Sequence, residues 1–137
     1  AGDILMVKDG TYLVGTCAMI TEGETRIVYQ SHLWKIRSLD AEKLNPYLLL
    51  ALLSSPIVKQ QIRAKQFTQD IIDTIGRRIY ELELPFPKDK KQEKAMIMKV
   101  QEVFEKRREA KKLMRDVLLN VTPAHDYDND SAFLTLI

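Results

Sequence analysis

Apolar and polar positions change their period three times along the chain. Asp3 to Val7 and Tyr12 to Ile20 are short, mainly apolar runs separated by Lys8-Asp9-Gly10. Asp-Gly between two such runs is a turn signal, so two strands are expected. Gly15, inside the second run, predicts a bulge or a close backbone approach. Thr21 to Glu24 reads as a turn, and Arg26 to Tyr29 and His32 to Arg37 read as two more strands. The last alternates, with Leu33, Lys35 and Arg37 on one side and His32, Trp34 and Ile36 on the other. The first 38 residues are therefore expected to form a small antiparallel β unit.

The period then becomes helical. Asn45-Pro46 is a helix start, with Asn as N-cap and Pro at the first helical position. Tyr47 to Leu53 is apolar nearly all round, as a buried helix is. Ser54 and Ser55 are small capping residues, and Pro56 opens a second helix to about Lys65, with Ile57, Val58 and Ile62 at helical spacing. Gln66 to Asp73 is read as irregular or a short helical turn, Gly76 interrupts the pattern, and Leu82 to Pro87 reads as a strand ended by its prolines.

The third regime is a long amphipathic helix from about Gln92 to Leu119. Met96, Val100, Val103, Arg107, Ala110, Met114 and Val117 recur at alternating spacings of four and three, a coiled-coil seam with one polar interruption at Arg107. Ile97, Phe104, Leu113 and Leu118 widen it, and Asn120-Val121-Thr122-Pro123 stops it. The expected fold class is α+β: a small antiparallel β unit, a buried helix pair, then a long C-terminal coiled-coil-like helix. The expected division is 1–87, a helical arm at 88–119, and an acidic then apolar tail at 120–137.

Composition changes this picture little. Hydrophobic residues make up 45% and charged residues 29% of the 137, ordinary for a globular domain. The net charge of +2 is unevenly spread, with −1 over residues 1–40, +1 over 41–85, +5 over 86–116 and −3 over 117–137. The positive segment is either a solvated helix face or a phosphate-facing stripe. Cys17 is the sole cysteine, which fits a reducing, cytoplasmic setting. No run has the length of a membrane span and no signal peptide is visible, so no membrane partner is expected. The chain opens Ala1-Gly2-Asp3 rather than with Met and enters a strand at once, which points to a piece of a longer protein.

Catalytic patterns are hard to assemble. Asn45-Pro46-Tyr47 approaches the Asn/Asp-Pro-Pro-aromatic tetrapeptide of amino-methyltransferases but lacks the second proline, and a helix cap accounts for it better. Asp126, Asp128 and Asp130 open like a calcium loop, but Ser131 and Ile137 stand where Gly and Glu are needed. One cysteine with His32 and His125 cannot compose a zinc set. His32 reads as a surface or half-buried strand residue rather than a base. Asp89-Lys90-Lys91 and Glu109-Ala110-Lys111 supply only the end of a nuclease pattern and are read as helix-surface charge. The expectation is a chain that is not itself an enzyme and holds no metal or cofactor.

Binding chemistry remains. Lys8, Thr11, Tyr12, Arg26, Lys35 and Arg37 come from turns and strands of the β unit, and Lys65, Gln66, Thr68 and Gln69 form a polar cluster after the second helix. Lys and Arg neutralise phosphates, Arg pairs with guanine, and Gln pairs with adenine. The same residues could simply face solvent.

Gly2 to Gly10 (Gly-Asp-Ile-Leu-Met-Val-Lys-Asp-Gly), with Gly15 beyond, resembles the "GDIL-x-x-(R/K)-x-G…G" stretch of specificity subunits of type I restriction–modification systems. Gln30 to Leu33 is similar to that family's next strand, Asn45 to Gln61 to its helix pair, Leu84-Pro85-Phe86-Pro87 to the end of its target recognition domain, and residues 88–118 to its helical arm. The same module is fused to some adenine-specific DNA methyltransferases and single-chain restriction enzymes. The order of these five motifs carries the resemblance. Two features depart from it: after Gln92 the spacing to the next Ile differs, and the family's substantial segment before "GDIL" is absent.

The resemblance implies that the β unit and its loops face the major groove of duplex DNA, with the helix pair behind. It implies that the long helix pairs antiparallel with a helix from a second recognition half or a second copy, making a homodimer, and docks methyltransferase and restriction subunits or domains. Methyl transfer from S-adenosylmethionine to adenine would belong to the partner methyltransferase. The alternative is an assembly module, with Met96, Val100, Val103, Phe104, Ala110, Met114 and Val117 as its interface and DNA read by an upstream segment.

Overall fold

The computed structural model describes residues 1–69 and 72–121. The element order is β1 (Ile4–Val7), β2 (Cys17–Met19), β3 (Leu33–Ile36), α1 (Pro46–Leu53), α2 (Pro56–Lys65), β4 (Phe67–Gln69), β5 (Ile72–Thr74) and α3 (Lys90–Val121), with 3-10 turns at Glu22–Glu24 and Gly76–Glu81. The chain divides into two compact units, Ala1–Gln101 and Glu102–Ile137, the division falling within α3. The fold is α+β. No helix among the described residues is long and apolar enough to cross a membrane.

In the first unit, β1 is the central strand of a three-stranded antiparallel sheet ordered β2-β1-β3. Ile4 stands opposite Met19 and Ile36, and Met6 opposite Cys17 and Trp34, so one face of the sheet is apolar. Ile4 and Met6 are fully buried. Leu48, Leu49, Leu52 and Leu53 of α1, Val58 and Ile62 of α2, and Ile75 complete the core. Asn45 caps α1 by accepting from the Tyr47 amide, and Ser55 caps α2 by accepting from the Val58 amide. Each such cap is worth ~1 kcal/mol. Both helices start on a proline whose missing N–H would have had no partner in any case.

Four expectations about strands need correction. The run from Tyr12 to Ile20 pairs as a strand only at Cys17–Met19. Leu13 to Thr16 is a turn closed by the Thr16 amide on the Leu13 carbonyl at 2.8 Å, and Gly15 takes φ +81°. Val7 donates to the Thr16 carbonyl and accepts from the Gly15 amide, both at 2.9 Å, so two residues oppose one in a glycine bulge. A β-carbon on Gly15 would lie 2.6 Å from Cδ1 of Ile62, which makes the expected close approach a contact with the core of α2.

Arg26 to Tyr29 is not a strand, because it has no apolar surface to cover and Val28 is fully exposed. The polar stretch after α2 is a hairpin, with Phe67 opposite Thr74, Thr68 opposite Asp73 and Gln69 opposite Ile72. Leu82 to Pro87 is extended but joins no sheet. There the Gln61 side chain acts as a strand would. Its Nε2 donates to the Glu83 carbonyl at 2.8 Å and its Oε1 accepts from the Glu83 amide at 2.9 Å.

Asp89 begins α3. Its carboxylate accepts from the Gln92 amide at 2.7 Å and its carbonyl from the Glu93 amide at 3.1 Å. In the second unit the described residues are helical to Val121 and all but Phe104 are well exposed. The tail expected from residue 122 onward lies outside the described residues.

Candidate nucleic-acid interface

The residues after β1 turn across the end of the sheet and meet the hairpin. The Lys8 amide donates to the His32 carbonyl at 2.8 Å and the Gly10 amide to the Asp73 carbonyl at 2.8 Å, while Asp9 bridges to Thr74. Gly10 has φ +140°, a conformation that side chains rarely adopt, which is why the Asp-Gly pair turns here. The turn Lys8 to Tyr12 is thereby fixed against β5, 60 and more residues away in sequence. Within the hairpin, the Thr68 hydroxyl donates to the Asp73 carboxylate at 2.9 Å, and the Arg78 guanidinium stacks 4.9 Å from the Phe67 ring centroid.

Asp9 organises the charges of this turn. Its carboxylate pairs with Nδ1 of His32 and lies 3.4 Å from the Lys8 ammonium. Burial works to raise its pKa, but His32 and Lys8 outweigh burial and hold it below the usual carboxylate range. Thr11 and Tyr12 project beyond, and Tyr12 is 92% exposed.

The candidate residues therefore fall into two groups. Lys8, Thr11 and Tyr12 share the turn, and Thr68 stands on the hairpin beside it. Lys65 and Gln66 lead into that hairpin: Lys65 pairs with Glu81 at 3.0 Å, and the Gln66 amide closes α2 on the Ile62 carbonyl. Gln69 belongs to β4, but its side chain lies outside the described residues.

The rest stand apart. Lys35 is exposed in mid-strand, opposite Leu5. Arg37 lies at the far end of β1, where it grips Asp3. Arg26 is in the irregular stretch before β3 and makes no ion pair among the described residues.

Sequence reasoning missed Asp9 and His32 as a pair and missed Phe67, Asp73 and Arg78 as parts of the site. The only local signal was Asp-Gly, already read as a turn. Cys17 offers no reactive thiol: burial pushes it up to about 11, against a small opposing effect of Lys59, and Sγ donates to the Gly15 carbonyl. Among the described residues no group of three His, Cys, Asp or Glu could hold a metal ion.

The second candidate surface is the seam of α3. Met96 and Val100 are half-buried in the first unit. In the second, Val103 is 47% exposed and Met114 and Val117 are each 60% exposed, with Ala110 exposed between them. No family model, curated protein or solved structure matches the chain.

Proposed function

We propose that this chain is a DNA target recognition module of a restriction–modification or methyltransferase protein. It chooses the site, and a partner or fused methyltransferase performs the transfer of a methyl group from S-adenosylmethionine to adenine. One observation supports this reading above the others. The hydrogen bond from Gly10 to Asp73 sets the Lys8-to-Tyr12 turn beside the hairpin of β4 and β5, so two polar segments far apart in the sequence of the first unit share one edge. That edge carries an ammonium, two threonine hydroxyls and an exposed phenol, groups that contact phosphates, sugars and base edges.

A salt series of duplex binding tests it. Log affinity is expected to fall linearly with log salt, and Lys8→Ala to reduce that slope by about one phosphate contact. Tyr12→Ala is expected to weaken binding with no change in thermal stability. A flat salt dependence, or no binding at low salt, defeats the reading.

The exposed seam of α3 favours a second role, compatible with the first, in which the helix mediates assembly with a second recognition half, a second copy or a methyltransferase subunit. Replacing Val103 and Met114 by Asp is expected to yield a monomer from whatever complex the parent forms. An unchanged mass would defeat this role.

A further inference from the structure

The arginines of the first unit are not equally ready to bind. Arg37 spends Nε and Nη2 on Asp3. Arg26, Arg63 and Arg77 are exposed and make neither an ion pair nor a side-chain hydrogen bond among the described residues, so a ligand would have to remove their rotamer freedom. Arg78 is held twice and still has a free edge. Its Nη1 donates to the Lys65 carbonyl at 3.1 Å, and its guanidinium lies 4.9 Å from the centre of the Phe67 ring. That ring is backed in turn by Gly76, where a β-carbon would lie 3.1 Å from Cζ. Glu81, three residues on, is taken by Lys65 at 3.0 Å. Nε and Nη2 of Arg78 make no hydrogen bond or ion pair among the described residues, and the residue is exposed. They are the same edge with which Arg37 grips Asp3. The backbone joins Arg78 to the candidate interface: its amide donates to the Ile75 carbonyl at 3.1 Å, and the Ile75 amide to the Lys8 carbonyl at 3.4 Å.

We infer that Arg78 reads a guanine of the duplex, Nε and Nη2 donating to O6 and N7 on its major-groove edge; this rests on the recognition reading and names one base contact within it. Guanine offers two acceptors side by side there, the pattern a planar fork matches. Adenine sets an amino donor beside its N7 and repels one arm of the fork. A guanidinium already fixed by a ring and a carbonyl loses little freedom on binding, so more of the energy of the two bonds reaches the affinity. A phosphate would accept the same two bonds, and sequence dependence separates the two ligand groups.

Selection of duplexes from a random library by the full chain, at low salt, tests the inference. The parent is expected to enrich a sequence holding a guanine at which any other base weakens binding more than about fivefold. Arg78→Gln, checked for unchanged Tm, is expected to lose the preference at that guanine and to keep it elsewhere. Arg78→Lys, which keeps a donor for the Lys65 carbonyl but not the fork, is the second variant and is expected to show a smaller loss at the same guanine. Replacing that guanine by 7-deazaguanine, which lacks the N7 acceptor, is expected to weaken binding by the parent and to leave Arg78→Gln unaffected. Phe67→Leu keeps the guanidinium without its support and is expected to blunt the same preference partway. A uniform loss of affinity over all sequences, with a shallower salt slope, would assign Arg78 to a phosphate and overturn the inference. So would a selected sequence without guanine, a parent that binds duplexes but selects none, or variants that select the parent's sequence. Salt-dependent binding with sequence choice indifferent to Arg78 defeats this inference alone. No binding at low salt defeats the recognition reading and this inference with it.

Discussion

Arg37 holds Asp3 through two parallel hydrogen bonds, Nε to Oδ1 at 2.5 Å and Nη2 to Oδ2 at 2.6 Å. Asp3 is buried just ahead of β1, and Arg37 follows the last residue of β3, so the pair ties the two strands beyond the end of their ladder. Removing the guanidinium leaves a buried carboxylate without its partner, an effect larger than the loss of a surface ion pair. Arg37→Ala is expected to lower Tm by several degrees. DNA affinity, measured well below that Tm, is expected to stay within about twofold of the parent, since a guanidinium committed to Asp3 is poorly placed to read a base. A selective loss of DNA affinity with Tm unchanged would return Arg37 to the interface.

Acid should act through the same carboxylate and through Asp9. Arg37 holds the Asp3 pKa below its ordinary value against the opposing effect of burial. Asp9 is lowered on balance too, where His32 and Lys8 overcome burial. A carboxylate with a depressed folded-state pKa contributes stability that is complete above the unfolded-chain value of about 3.9 and is lost as pH falls through the folded value. Urea midpoints are therefore expected to drop steeply from about pH 4 downward. Asp3→Asn and Asp9→Asn should each flatten that drop while lowering the plateau at neutral pH. An unaltered acid limb in both variants would show that other groups control it.

Gly15→Ala combines two costs at one position. The backbone there has φ +81°, and the new methyl group would lie 2.6 Å from Cδ1 and 3.1 Å from Cγ2 of Ile62. Strain and overpacking together are expected to destabilise the first unit by ~2 kcal/mol, read from chemical unfolding. A second substitution, Ile62→Val, removes Cδ1 and should recover part of that loss in the Gly15→Ala background. Absence of any recovery would assign the whole effect to the backbone.

Cys17 should be slow to react. With its thiol pushed up to about 11 by burial, the thiolate fraction at neutral pH is ~100-fold below that of a free cysteine, and access is limited as well. Labelling by a thiol-disulfide reagent at pH 7.5 is expected to proceed only on the timescale of unfolding, and to become rapid in denaturant. Fast labelling of the folded chain would mean that the bulge at Gly15 opens readily.

The helix pair was legible because its signals are local. Asn45-Pro46 and Ser55-Pro56 each satisfy an exposed helix end within three residues, and α1 and α2 begin on those prolines. β1 and β3 were legible because each sets apolar residues against the core at a period of two. The hairpin was not, since Thr68, Gln69 and Asp73 carry no apolar alternation. Its position depends on the Gly10 bond to Asp73, a long-range contact with no trace in either segment.

Arg26 to Tyr29 misled for the opposite reason: residues suited to a strand stand where no neighbour offers a face to cover. In the candidate site, the Lys8-to-Tyr12 turn could be read from Asp9-Gly10. The Asp9–His32 pair joins residues 23 apart and could not.

The Gln61 amide has a consequence for how this protein behaves among others of its kind. An extended segment with free amides invites a strand from another chain. Between Leu82 and Pro87, the Leu82 amide is taken by Ile79, the Glu83 amide by Gln61 and the Phe86 amide by Leu84, and Pro85 and Pro87 have none to offer. The Glu83 carbonyl is occupied as well. Of the amides from Leu82 to Pro87 that leaves Leu84's alone outside these bonds, so the stretch that leads into α3 offers a second chain too few donors for a ladder, and a crowded solution has a poorer place from which to begin a fibril.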